Sequence, residues 1–203
     1  MIASMAKADP TTISGVMTVD NGFTAYLSTS PTTLGTPIAS AGNWYRPVSV
    51  GAQELVPGTT YYLQIDATNW GGPGGVIGSF SLSDSLFQFA NGTQSLNTNT
   101  TNWTYSTSGF GVGSMAPTDW GVSNTWPWYL NSGIAADAEW IWDSNLYYPY
   151  SVGDPNSGGS GDLYFETTIT PIAPAVPEPP SMLLFGTGLA ALAGLAVMRR
   201  TAM

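Results

Sequence analysis

The clearest strand pattern in the chain is the run Tyr61-Tyr62-Leu63-Gln64-Ile65-Asp66-Ala67. Tyr61, Leu63, Ile65 and Ala67 alternate with more polar residues, and a period of two is that of a strand with one buried face. A helix would instead need apolar residues three and four positions apart. The run therefore predicts a half-buried β-strand.

The same alternation recurs on both sides of this run, in residues 13–19, 76–82 and 163–169. No part of residues 9–170 shows a sustained helical period. Turn-forming residues separate the alternating runs, namely Asp20-Asn21-Gly22, Pro57-Gly58, Gly71-Gly72-Pro73-Gly74-Gly75 and Gly158-Gly159-Ser160-Gly161. Half-buried strands between such turns predict an all-β domain, an antiparallel β-sandwich over residues 9–170.

The composition excludes several classes of function. Two basic residues, Lys7 and Arg46, precede Val176 against twelve carboxylates, and so acidic a domain lacks the cationic contacts that nucleic acid requires. Cysteine and histidine are absent, which removes disulfides, thiolate chemistry and the commonest general base. We therefore expect that the protein is not an enzyme.

The C-terminal end reads as a membrane segment. The Pro-rich spacer 171–180 leads into residues 181–198, which are uncharged. A helix of that length spans about 27 Å, enough for a bilayer core. Arg199 and Arg200 begin a short tail, 199–203, that the positive-inside rule places in the cytoplasm. We predict a single transmembrane helix with the β domain on the outer side.

The order of Pro177-Glu178-Pro179, an apolar helix and Arg199-Arg200 resembles the PEP-CTERM sorting signal. The resemblance implies processing by an exosortase, a membrane protease of Gram-negative bacteria that make exopolysaccharide. It also implies export, transient residence in the inner membrane, and release to the cell surface or extracellular matrix. A plain C-terminal anchor helix is the alternative.

Two interpretations of the N-terminus, residues 1–8, stay open. Ala6-Lys7-Ala8 has the small-x-small form of a signal-peptidase site, but no apolar region precedes it. The segment is either the remnant of a signal peptide that starts upstream or a short disordered N-terminus. The sorting tail favours the first interpretation.

Local motifs in residues 13–170 resemble the galactose-binding-like jelly-roll domains. They are Asp20-Asn21-Gly22-Phe23, Gly42-Asn43-Trp44, Pro57-Gly58-Thr59, Asn69-Trp70-Gly71 and Glu139-Trp140-Ile141-Trp142. The resemblance implies a jelly-roll sandwich and, more loosely, the binding of carbohydrate.

The candidate binding residues are Trp126, Trp128 and Tyr129, which lie in an irregular stretch interrupted by Pro127. Exposed aromatic rings there would stack on the apolar faces of sugars. The alternative is that these rings belong to the core. Trp140 and Trp142 are two residues apart, so a strand would place both on one face, which we expect to be the core.

Acidic residues supply two weaker candidates. Asp137, Glu139 and Asp143 form a carboxylate cluster. We interpret it as a solvent-exposed face rather than as the catalytic acid and base of a glycosidase. Asp154 and Asp162 bound a Gly- and Ser-rich loop whose oxygen atoms are suitable ligands for Ca²⁺, although a polar surface loop is the simpler interpretation. We expect no other cofactor.

Two main hypotheses for function remain. In the first, the exported domain binds or organises extracellular polysaccharide. In the second, it is a purely structural matrix or biofilm protein without a specific ligand. A glycoside hydrolase is a more distant third. Exposed tryptophan rings favour the first hypothesis, whereas uniformly buried ones favour the second.

Overall fold

The computed structural model describes residues 9–129, 131–146, 148 and 162–173. These residues contain no helix, and therefore none that could span a membrane. The predicted transmembrane helix, 181–198, lies outside them.

The described residues form twelve β-strands, numbered in chain order: β1 Thr12–Asp20, β2 Gly22–Ser28, β3 Thr36–Ala41, β4 Val48–Glu54, β5 Tyr61–Thr68, β6 Gly75–Leu82, β7 Phe87–Phe89, β8 Ser95–Asn97, β9 Thr104–Ser106, β10 Thr118–Val122, β11 Glu139–Trp142 and β12 Asp162–Pro171.

The strands form two antiparallel six-stranded sheets, as the alternating pattern predicts. The first sheet has the order β10-β11-β6-β1-β4, with β8 also paired to β6. The second has the order β3-β2-β5-β12-β7, with β9 also paired to β12. This sandwich-like arrangement is consistent with a jelly roll. All twelve strands lie in Met1–Ile172, the first of two units into which the chain divides.

The predicted turn Asp20-Asn21-Gly22 is a crossing between the sheets rather than a hairpin. Strand β1 ends at Asp20 and pairs with β4 and β6 in the first sheet. Strand β2 begins at Gly22 and pairs with β3 and β5 in the second. The chain therefore changes sheet within one residue, and we call residues 20–22 the corner.

The main core lies between the two sheets and is built by the alternating residues. Apolar side chains of all four predicted runs are buried there, among them Ile13, Leu63, Val76 and Phe165. Aromatic rings fill the centre: Phe165 stacks on Tyr105, with centroids 5.8 Å apart, and lies 5.6 Å from Trp142. The alternation in the sequence thus correctly identified the buried face of each long strand.

A second apolar cluster involves the first sheet and residues of the β10–β11 loop, 123–138. It consists of Ile77, Trp128, Ile134, Ala138 and Trp140. Ile77 follows Val76, a residue of the main core, and a strand alternates its faces. Ile77 therefore points away from the main core, and the loop covers this outer face.

Trp140 and Trp142 are both fully buried, but the expectation of one shared environment is wrong. Trp140 belongs to the second cluster, whereas Trp142 belongs to the main core. Strand β11 ends at Trp142, so strict alternation no longer fixes the direction of this side chain. Its indole N–H donates to the carbonyl of Tyr148 at 3.0 Å.

Gly75 gives a direct test of the packing around the second cluster. A Cβ atom at this position would lie 2.6 Å from Trp140 Cε3 and 2.9 Å from Trp128 Cζ2. Gly75→Ala should therefore lower the free energy of unfolding by about 1–3 kcal/mol, as overpacking does. Gly51→Ala is the matched control, because a Cβ there meets nothing within 4 Å. Equal urea midpoints for the two variants would contradict the described packing.

Candidate functional site

The corner connects two loops that carry aromatic residues. Asp20 accepts two hydrogen bonds through its carboxylate, from Trp128 Nε1 at 2.8 Å and from Asn21 Nδ2 at 2.8 Å. Asn21 in turn accepts from the backbone N–H of Trp70 at 2.5 Å through its side-chain oxygen. Trp128 belongs to the β10–β11 loop and Trp70 to the β5–β6 loop, so the corner holds both in place.

Trp128 is not available for stacking on a ligand, and its assignment as a sugar-binding residue is wrong. Its side chain is 1% exposed. The ring stacks on Trp140 with centroids 4.3 Å apart and planes 15° apart. Burial of an indole is favourable when its N–H finds an acceptor, and the Asp20 carboxylate supplies that acceptor. Trp128 thus anchors the loop.

The two neighbours of this anchor are exposed, which is one of the two alternatives that the Pro-interrupted sequence leaves open. Trp126 is 77% exposed and Tyr129 is 71% exposed. Asn131, which is buried, donates to the carbonyl of Tyr129 at 3.0 Å. The loop therefore presents two rings to solvent on either side of a buried one. Contact of these rings with a sugar remains a prediction.

Trp70 is a third exposed ring, which the sequence reasoning did not assign to a site. It is 58% exposed. Its six-membered ring lies close to two glycines: a Cβ at Gly22 would be 2.9 Å from Cζ2, and one at Gly42 would be 3.0 Å from Cη2. The absence of side chains at both glycines lets the indole lie directly on the backbone. The sequence signal that could have indicated this ring is the turn-forming run Asn69-Trp70-Gly71-Gly72. It follows the end of β5 at Thr68 and places a tryptophan in a turn.

Tyr45, in the β3–β4 loop, is the fourth exposed ring, at 61%. It meets Trp44 edge to face, with centroids 5.7 Å apart and planes 87° apart. Trp44 packs against the second cluster, and its carbonyl accepts from Thr18 Oγ1 at 2.9 Å. In the described part of the chain these four rings, Tyr45, Trp70, Trp126 and Tyr129, are exposed, and we call them the aromatic end.

Anchored, exposed rings of this kind can bind a ligand with an apolar face. Trp126 and Tyr129 flank the buried Trp128, and the backbone N–H of Trp70 donates to Asn21. These contacts restrict the loops, so less conformational freedom remains to be lost on binding. Aromatic rings also tolerate a polar, hydrated surrounding, which suits ligands that present both C–H faces and hydroxyl groups. The aromatic end therefore has the chemistry to stack against a ligand with an apolar ring face.

The carboxylate cluster of the sequence has separate structural roles. Asp137 is exposed and accepts from Asn97 Nδ2 at 2.9 Å. Glu139 accepts from the backbone N–H of Thr100, and Asp143 from the Tyr105 hydroxyl at 2.6 Å. Glu139 and Asp143 are half-buried, so the interpretation of a simple solvated face holds only for Asp137.

The calcium candidate is only partly covered by the described residues, since Asp154 lies outside them. Asp162 begins β12 and accepts from Thr68 Oγ1 at 2.6 Å, across the sheet. Among the described residues, no group of three or more acidic side chains could hold a metal ion.

Burial raises the pKa of four carboxyl groups in the described part of the chain, Asp20, Asp66, Glu139 and Glu166. Burial raises the pKa of Asp20 to about 6, although the hydrogen bond from Trp128 acts in the opposite direction. Burial also raises the pKa of Asp66 to about 6, and the negative charge of Asp162 adds to that shift. The buried Oδ1 of Asp66 has no hydrogen-bond partner, so ionisation of this group is poorly compensated in the folded state.

Comparison with known proteins identifies the C-terminal end of the chain. Residues 175–200 match the PEP-CTERM protein-sorting motif, which confirms the resemblance, and Pro177, Glu178, Pro179, Arg199 and Arg200 lie within the matched range. These five residues lie outside the described residues. No curated protein and no solved structure matches the chain. The motif implies processing by an exosortase, with export and passage through the membrane.

Asp66 allows a test of the electrostatics by pH. A pKa of about 6 in the folded protein, against an ordinary value of 3.8, means that the folded state holds the proton more tightly than the unfolded chain. The free energy of unfolding should therefore increase as the pH falls from about 6 towards 3.8. Asp66→Asn should reduce this pH-dependent increase in the free energy of unfolding by about 1 kcal/mol, a value discounted for solvent screening.

Urea unfolding at pH 4.5 and 7.5 measures the pH dependence of the free energy of unfolding. Asp9→Asn, at an exposed position, is the control. An unchanged pH dependence in Asp66→Asn would contradict the raised pKa.

Proposed function

We propose that this chain is an exported, exosortase-processed protein whose β-sandwich binds and organises polysaccharide outside the cell. One observation carries the binding part of the proposal: in the described part of the chain, four aromatic rings are exposed on loops of the sandwich, beside the buried Trp128, the partly buried Trp44 or two glycines. The sorting motif at residues 175–200 supports export.

Stacking has to supply most of the affinity. The described residues contain one basic side chain, Arg46, and eleven carboxylates, so general attraction between charges contributes little to binding a glycan. An aromatic contact contributes about 0.5–1.5 kcal/mol beyond the area that it buries. A few such contacts give about millimolar affinity for a single sugar unit. Retention then depends on many copies of the protein that contact a repetitive polymer.

The exposure of these rings also favours a binding protein over a purely structural matrix protein. A structural role would be served by burying every tryptophan, as the domain does with Trp103, Trp128, Trp140 and Trp142. Leaving Trp70 and Trp126 in solvent instead forgoes the stabilisation that burial of a large ring provides. Exposed aromatic rings on loops are characteristic of surfaces that bind another molecule.

Trp126 and Trp128 separate binding from stability. Trp126→Ala should weaken retention on the host's own exopolysaccharide about two- to tenfold and change the free energy of unfolding by less than about 0.5 kcal/mol. Trp128→Ala should instead cost about 3–5 kcal/mol of stability. The measurements are co-sedimentation with the polymer and urea unfolding.

Leu34→Ala is the control for this comparison, because Leu34 is an exposed apolar residue outside the aromatic end. It should leave retention unchanged. Equal retention of the native protein, Trp126→Ala and Trp70→Ala would count against polysaccharide binding at the aromatic end and in favour of a structural role.

Cleavage of the sorting tail is a separate consequence of the proposal. We expect the exosortase to cut near Pro177–Pro179, so the intact mass of the extracellular protein should lack Leu183–Met198. Replacement of Pro177-Glu178-Pro179 by three alanines should leave the uncut chain in the membrane fraction. Recovery of an extracellular product that still carries Leu183–Met198 would refute the processing step.

A further inference from the structure

Arg46 is the one basic side chain among the described residues, which also contain eleven carboxylates. It is exposed, and in the described part of the chain it forms no ion pair with any of these carboxylates. In a domain so rich in acidic groups, an arginine would readily find an internal partner. The chain instead places this guanidinium beside the aromatic end.

The position of Arg46 is defined by aromatic contacts and by a tight turn. Its guanidinium carbon lies 5.8 Å from the centroid of the Tyr45 ring, within the range of a cation–π contact. Its backbone N–H donates to the carbonyl of Asn43 at 3.2 Å and closes the turn. Tyr45 in turn rests edge to face on Trp44, a partly buried residue. The turn, the Tyr45 ring and the Trp44 ring beneath it therefore position the guanidinium.

The same turn also touches Trp70. Gly42, four residues before Arg46, is one of the two glycines on which the indole lies. A short turn thus joins an exposed stacking surface to a guanidinium without a carboxylate partner. A ligand that uses both needs an apolar ring face and, attached to that ring, an anionic group.

We propose that the turn of residues 42–46, together with Trp70, forms a subsite for a sugar unit that carries a carboxylate. The sugar ring stacks on Trp70, and the carboxylate accepts hydrogen bonds from Arg46. The planar guanidinium fork matches the two oxygens of a carboxylate, which the point charge of a lysine does not. This inference rests on the proposed function, because it names the class of glycan that the aromatic end binds.

The acidity of the domain does not prevent this contact. At physiological salt, charges more than about 8 Å apart are largely screened, whereas a direct pair between guanidinium and carboxylate is screened much less. The net negative charge of the domain limits the binding free energy that the contact between Arg46 and the carboxylate contributes. Arg46 therefore confers a preference among sugars rather than strong binding.

A matched pair of ligands tests the inference: an oligogalacturonate and its fully methyl-esterified form, in which a methyl group replaces the negative charge of each carboxylate. The intact protein should bind the acid about three- to tenfold more tightly than the ester. Arg46→Gln should bind both equally, with its affinity for the ester unchanged. Arg46→Lys should recover only part of the preference, and Trp70→Ala should weaken binding of both ligands.

The outcomes separate the two proposals. Equal binding of acid and ester by the intact protein, or a preference that survives in Arg46→Gln, overturns the carboxylate subsite but leaves polysaccharide binding intact. Failure to bind acid, ester and the host's own exopolysaccharide overturns the proposed function itself. An equally large preference for dextran sulfate over dextran contradicts the assignment of the anion as a carboxylate.

Discussion

The hydrogen bond from Trp128 Nε1 to the Asp20 carboxylate is the interaction on which the exposed rings of the β10–β11 loop depend. It satisfies an indole N–H that would otherwise be buried without an acceptor, and it gives a buried carboxylate one of its two donors. The loop of residues 123–138 can therefore lie against the first sheet. Trp126 and Tyr129 remain in solvent because the ring between them, Trp128, is fixed.

Much of the fold could be predicted from the sequence because long half-buried strands follow a simple geometric rule. Strands β1, β5, β6 and β12 all display their alternation over seven or more residues. The three-residue strands β7, β8 and β9 are too short to show any period. The corner was recognised as a turn, but whether a turn joins two strands of one sheet or passes between sheets depends on pairing partners distant in the chain.

The candidate site was predictable only in part, for a related reason. Pro127 indicated an irregular stretch but left open whether its rings are exposed or belong to the core, and the structure exposes Trp126 and Tyr129. The burial of Trp128 depends on Asp20, 108 positions earlier, and no local pattern conveys that contact. Trp70 and Tyr45 were missed because glycines and a neighbouring ring support them. These contacts form only in the folded protein, where loops distant in the sequence meet.

The position of β12 gives the domain a mechanical property. This last strand is paired with β5 at eight successive positions on one side and with β7 and β9 on the other. Tension applied along the C-terminal segment would enter the sandwich through β12 and act along both ladders. The interstrand hydrogen bonds would then be loaded in shear and share the force.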